Sequence, residues 1–243
     1  MSDQKHHTHA GHSPSTAEKI GTFLSNYRTV LIVVAVVIFV GIFAAIGLSQ
    51  YLNVRSERSA AVAEEIQDLW NEWSATVSDG DSTEDEASPA DDTALRDAIA
   101  AAREEFPGQY AELRALYILG QLEWELENYD AAGEAFLELA ETFDDTYITP
   151  VALANAAAAA EETGEIDRAR ELFGRIVSLE NVANLERSHA LFNLGRLAEV
   201  QEEYDLALDY YNQLLDEHGD SNWTNLGRNR IIWLTSQGVA TDS

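Results

Sequence analysis

Residues 115–143 (ALYILGQLEWELENYDAAGEAFLELAETF), 151–179 (VALANAAAAAEETGEIDRARELFGRIVSL) and 190–218 (ALFNLGRLAEVQEEYDLALDYYNQLLDEH) share one pattern. In the first, Leu116, Leu119 and Gly120 precede Tyr129, Ala132 and Phe136; in the second, Leu153, Ala156 and Ala157 precede Ile166, Ala169 and Phe173. The third repeats the order with Leu191, Leu194, Gly195, Tyr204, Ala207 and Tyr211. The three- and four-residue spacings are helical, and the acidic, turn-prone junctions ENYDAA, GEIDRA and EEYDLA divide each stretch into two helices. Small residues at Gly120, Ala132, Ala157, Ala169, Gly195 and Ala207 let antiparallel helices pack closely, and Phe136, Phe173 and Tyr211 are expected to fill the space toward the next unit.

From Ala132 to Ala169 is 37 residues and from Ala169 to Ala207 is 38. The pattern resembles the tetratricopeptide repeat family, whose unit is about 34 residues, so the extra residues belong in the connections. In the place of the family's first-helix Trp stand Leu116, Leu153 and Leu191, and in that of its Tyr stand Glu123, Ala160 and Ala198. The resemblance implies an all-α solenoid of about three and a half repeats with a C-terminal capping helix, its repeats near 113–146, 150–183 and 188–221 within residues 107–221.

Outside the repeats, residues 51–106 read as a degenerate leading repeat. A long helix carries Ala60, Ala63, Ile66, Leu69, Trp70 and Trp73 at helical spacing; an acidic loop, residues 78–92, follows; a second helix runs from Thr93 to Phe106 and stops before Pro107. The loop's Asp79 and Asp81 begin like a calcium loop, but Glu84 and Ala90 occupy the places that need Gly and Glu. Residues 222–243 read as the capping helix, with Leu226, Ile231, Trp233 and Leu234, and a short tail.

Residues 30–48 (VLIVVAVVIFVGIFAAIGL) carry no charge and suffice, as a helix, to cross a hydrocarbon core of about 30 Å. The run is longer than a usual signal-peptide core, so residues 29–50 are read as an uncleaved transmembrane signal anchor after a short cytosolic tail, residues 1–28. Tyr27 and Tyr51 flank it where aromatic rings favour the headgroup level, and Ser15 and Glu18 have capping-box spacing. Long domains translocate largely regardless of flanking charge, which places the C-terminal domain outside the cytoplasm. Gly41 and Ala45 form a small-xxx-small pair suited to a partner helix, so homo-oligomerisation stays open.

The formal charge of −28 is uneven: residues 1–60 hold five basic against three acidic residues, and the remainder holds ten arginines against forty. Such a surface repels nucleic acid. The chain has no cysteine, phosphate-cradling glycine loop, nucleophile elbow or zinc-protease helix. No enzyme activity, cofactor or small-molecule substrate is therefore expected. His6, His7, His9 and His12 cluster in the tail and could hold zinc, nickel or copper loosely, but no acidic or thiolate ligand completes a rigid site. The preferred reading is a polar tail without metal, with a metal-handling membrane protein as an alternative.

Repeat solenoids of this kind bind proteins on the face formed by the first helix of each unit. By register that face carries Arg114, Tyr117, Gln121 and Trp124, then Val151 and Ala154, then His189, Phe192 and Arg196. Aromatic and Arg side chains suit binding hot spots, though Trp124 and Phe192 serve equally well as packing between repeats. Asn155 and Asn193 resemble the asparagines of family members that clamp a C-terminal carboxylate, but the matching lysines are missing. The layout of tail, anchor, long helix and repeats is similar to the ancillary subunit of the bacterial Sec translocon. That resemblance implies a bacterial cytoplasmic-membrane anchor, a periplasmic repeat domain, and translocon subunits and secreted clients as partners; a scaffold for envelope or division enzymes is the alternative.

Overall fold

The computed structural model describes residues 16–78, 91–180, 183–217, 219 and 221–238. The histidine cluster, Ser15, residues 79–90 of the acidic loop and His218 lie outside them. Among the described residues the chain is all-α. It has nine helices: α1 (Thr16–Ser78), α2 (Thr93–Glu105), α3 (Tyr110–Glu125), α4 (Tyr129–Thr142), α5 (Thr149–Glu162), α6 (Ile166–Ser178), α7 (Asn184–Val200), α8 (Tyr204–Glu217) and α9 (Asn222–Gln237). Residues 1–55 and 56–243 form two separate compact units.

The first unit is the earlier part of α1. Its Val30, Val37, Phe39, Val40 and Phe43 are all exposed, and none of its apolar stretch is buried by the chain. This is one helix long and apolar enough to cross a membrane.

In the second unit each helix packs on the next, α2 to α9 in chain order. Ile66 and Trp73 of α1 are buried with Leu95, Ile99, Ala102 and Phe106 of α2 and with Ala115, Ile118 and Leu122 of α3. Ala60, expected in this apolar stripe, is exposed, and the adjacent Ser59 is buried instead. The reason is polar: the Ser59 hydroxyl oxygen accepts the Ala111 backbone N–H at 2.9 Å, satisfying a donor in the first turn of α3. The middle of the array buries Leu116, Phe136, Leu139, Leu153, Phe173, Ile176 and Leu194, and the end buries Ala198, Ala207, Leu208, Tyr211 and Leu234.

The helix pairs meet where the sequence is smallest. A Cβ added to Gly120 would stand 2.5 Å from the Phe136 ring, and one added to Gly195 would stand 2.4 Å from the Tyr211 ring. Phe136 and Tyr211 thus lie across the glycine of their own unit. The three turns between paired helices are also alike. Glu127, Gly164 and Glu202, the first residues of the three junctions, all take the left-handed conformation, with φ of 60°, 79° and 61°. In each turn the following N–H donates five residues back at 2.8 Å: Asn128 to Glu123, Glu165 to Ala160, Glu203 to Ala198. Only the second repeat uses glycine there.

Glu123, standing where the family places Tyr, is only 7% exposed. Its carboxylate accepts Arg96 Nη1 of α2 at 2.5 Å and Asn128 Nδ2 at 2.9 Å, so the buried charge is both paired and hydrogen-bonded. This pairing holds the Arg96 pKa above its ordinary value.

Two substitutions separate these constraints. Gly195→Ala is expected to destabilise by about 1–3 kcal/mol through overpacking against Tyr211. Glu202→Gly relieves a left-handed residue and is expected to stabilise by up to about 1 kcal/mol. Denaturant unfolding of the full chain in detergent measures both.

Candidate functional site

The candidate residues of α3 recur at steps of three and four, which puts Arg114, Tyr117, Gln121 and Trp124 on one stripe. All four are half-buried. Tyr117 meets Phe136 edge-on at 6.0 Å, and Trp124 meets Tyr129 edge-on at 5.2 Å; both partners lie on α4. The Arg114 guanidinium donates to the Tyr110 hydroxyl at 3.0 Å. The stripe therefore packs with one edge and leaves the other accessible.

The matching stripe of α5 carries Val151 and Ala154, also half-buried. Val151 also lines a hollow of about 530 Å³ between the α4–α5 and α6–α7 connections, rimmed by Asp144, Asp145, Glu180 and Glu186. The stripe of α5 thus carries smaller side chains than those of α3 and α7.

On α7 the picture differs. His189 lies between Phe173 of α6, at 5.8 Å, and Trp223 of α9, at 4.6 Å. Phe192 lies between Tyr211 of α8, at 5.8 Å, and Trp223, at 5.4 Å. The structure brings these two candidates together beneath a residue that the sequence reading had placed only at the start of the capping helix. Arg196 reaches back to α5, its Nη2 donating to both oxygens of Glu161 at 2.7 Å. Asn193 is 8% exposed; its amide donates to the His189 carbonyl and accepts from Arg196, which engages it away from any carboxylate clamp.

Two acidic residues were missed by the sequence reading. Glu161 and Glu199 stand in the register of Trp124, 37 and 38 residues apart, so the repeat period itself was the signal. Glu199 accepts Arg230 Nε of α9 at 2.9 Å, pairs with its Nη2, and accepts the Tyr211 hydroxyl at 2.6 Å. Burial first, and this acceptor second, push the Tyr211 pKa far above the phenol range. These contacts tie the first helices α5, α7 and α9 edge to edge. Among the described residues no cluster of His, Asp and Glu has the arrangement of a metal site.

Burial lowers the His189 pKa from its ordinary value, and the nearby Arg196 lowers it further against the opposing fields of Glu186 and Glu161. The unfolded chain therefore takes up this proton first as pH falls below about 6.5, and that part of the stability is lost there. His189→Phe, which keeps the ring stack, is expected to show a shallower loss of stability between pH 7.5 and 5.5 than the parent chain, compared by thermal unfolding at fixed salt.

Against known proteins, the tetratricopeptide repeat-like domain family matches residues 22–223, from ahead of the apolar run into α9. A TPR repeat-containing protein of Treponema pallidum (strain Nichols) is 26% identical over 231 residues, covering 90% of this chain and 95% of that relative.

Proposed function

We propose, from the premise that this chain belongs to the tetratricopeptide repeat-like domain family, that its repeats are a protein-binding module held at a membrane by the apolar part of α1. The observation that carries the reading is the common register of α3, α5 and α7: Tyr117 and Trp124 stand half-exposed on α3, and the small Val151 and Ala154 hold the corresponding places on α5, a set that suits an apolar segment of a partner.

The finer reading is a role at the Sec translocon, with the repeats outside the cytoplasmic membrane and emerging secreted chains or their chaperones as clients. Layout supports it. The family match begins at residue 22, so the apolar run and the repeats fall within one family unit, and the relative aligns over 95% of its own length. A fold whose first helices are tied by Glu161–Arg196 and Glu199–Arg230 holds its binding side chains in place before a partner arrives, which lowers the ordering cost of association.

The test is crosslinking in intact cells, purification in mild detergent and mass spectrometry of the neighbours. Translocon subunits with many secreted clients are expected. Trp124→Ala is expected to cut client recovery severalfold with a stability loss smaller than the about 3–5 kcal/mol of a fully packed Trp. A fixed set of wall or division enzymes without translocon would overturn the secretion reading, and an unchanged client set in the variant would overturn the stripe.

A further inference from the structure

We propose that the hollow beside Gly133, between α4, α5 and α6, receives an arginine side chain of a partner protein. The second helices of successive pairs carry Arg96, Gly133, Arg170 and Leu208 at one place in the repeat, 37, 37 and 38 residues apart. In α2 the Arg96 guanidinium crosses to α3, donating to Glu123 at 2.5 Å, and also donates to the nearby Asp92 at 2.6 Å. In α6 Arg170 reaches the α7–α8 turn. It pairs with Glu203 at 2.9 Å and donates to the side-chain carbonyl of Gln201, whose amide in turn donates to Asp167 at 2.9 Å. In α8 Leu208 is buried in one cluster with Leu234 of α9. Three of the four places are thus filled by a side chain of the protein itself, and α4 has none to offer.

At Gly133 the structure holds a hollow of about 460 Å³. The helix beneath is small as well: Ala159 stands in the register of the larger Leu122 and Leu197, and its Cβ would lie 3.3 Å from one added to Gly133. Ala156 and Ala159 are buried in the lining, and Asp130, Glu134 and Glu165 are exposed around them. Register puts Asp130 and Glu165 in the places of Asp167 and Glu203 of the Arg170 network, with Thr163 in that of Gln201. The acceptors of Arg96 are not kept, since Tyr129 and Ala160 hold the places of Asp92 and Glu123. The middle unit therefore retains both carboxylates of the Arg170 arrangement without its arginine.

The chain itself identifies the occupant, and charge agrees. Three carboxylates of the lining stand against Arg168, the one basic residue among the described lining residues. Residues 61–243 hold ten arginines against forty acidic residues, a field that attracts a basic partner. An arginine brings a planar fork that can engage two carboxylates at once and an aliphatic stem that suits the alanine floor. No residue of the stripe on α3, α5 and α7 lines this hollow, so the two sites can fail separately.

The full chain, with ¹³C-labelled alanine methyls, is held in zwitterionic nanodiscs at fixed ionic strength. It is titrated with the peptide acetyl-GGRGG-amide and with the same peptide carrying citrulline, which keeps the shape of arginine and loses the charge. Saturable shifts of the Ala156 and Ala159 methyls are expected, half-complete at about 1–10 mM, while the Ala115 and Ala190 methyls stay in place. Binding is expected to be weaker by about fivefold or more with the citrulline peptide, in the Gly133→Arg chain, which supplies its own occupant, and in the Glu165→Gln chain. Glu165 makes no side-chain cap bond to α6, so the second variant leaves that helix start intact. Equal shifts with both peptides, shifts that persist in Glu165→Gln, or no saturation by about 30 mM would overturn the proposal. Shifts of the same methyls on dilution without peptide would overturn it in favour of a second copy of the chain.

Discussion

At Gly120 and Gly195 there is no room for a methyl group, because the rings of Phe136 and Tyr211 occupy that space. The middle unit holds Ala157 in the same register, so small residues there set a close approach of the paired helices in all three units. Helices that close together must be joined by a tight reversal, and the left-handed residue at 127, 164 and 202 supplies it with the same hydrogen bond each time. The reversal fixes the register of the second helix, and the register decides which side chains of α3, α5 and α7 share a stripe. Substituting a charged Glu for Gly in two of the three turns leaves that geometry intact at a modest local cost, since packing on both sides determines the backbone.

Charge is arranged around the same frame. Ten arginines are few among forty acidic residues, and five of them reach across helix boundaries: Arg96 to Glu123, Arg103 to Glu138, Arg170 to Glu203, Arg196 to Glu161 and Arg230 to Glu199. Exposed pairs of this kind contribute little each. The pairs at Glu123 and Glu199 differ, because those carboxylates are largely buried and leaving either alone would cost several kcal/mol, on the order of 3–5. They fix which helix follows which. The carboxylates that remain outward give the surface a strongly negative field, which discourages nucleic acid.

The helices and their order were legible in the sequence because small residues, aromatic residues and turns recur at 37 and 38 residues. The break in the pattern at Ser59 was not, since a hydroxyl in place of Ala60 makes sense only once the Ala111 N–H is seen above it. Glu123 stands in the sequence only as a replacement of the family's Tyr, and only its distance from Arg96 reveals a paired acid. The stripe residues could be named from register, but not their fate: Trp124 packs on its own unit's second helix, whereas His189 and Phe192 lie under Trp223. That contact joins residues over thirty positions apart and leaves no periodic trace, because α9 has no later repeat to be compared with.

What emerges is a stack of helix pairs whose first helices carry larger side chains on α3, small ones on α5, and a closed aromatic cluster at α7 and α9. The proposed function requires that partners meet this stripe. Its most direct test places a photo-crosslinking amino acid in turn at positions 121, 124, 151 and 154, and at the exposed positions 138 and 171 on α4 and α6, in living cells. Crosslinked partners are expected to concentrate at the first four positions. Crosslinks that are as strong or stronger at the second set would contradict it.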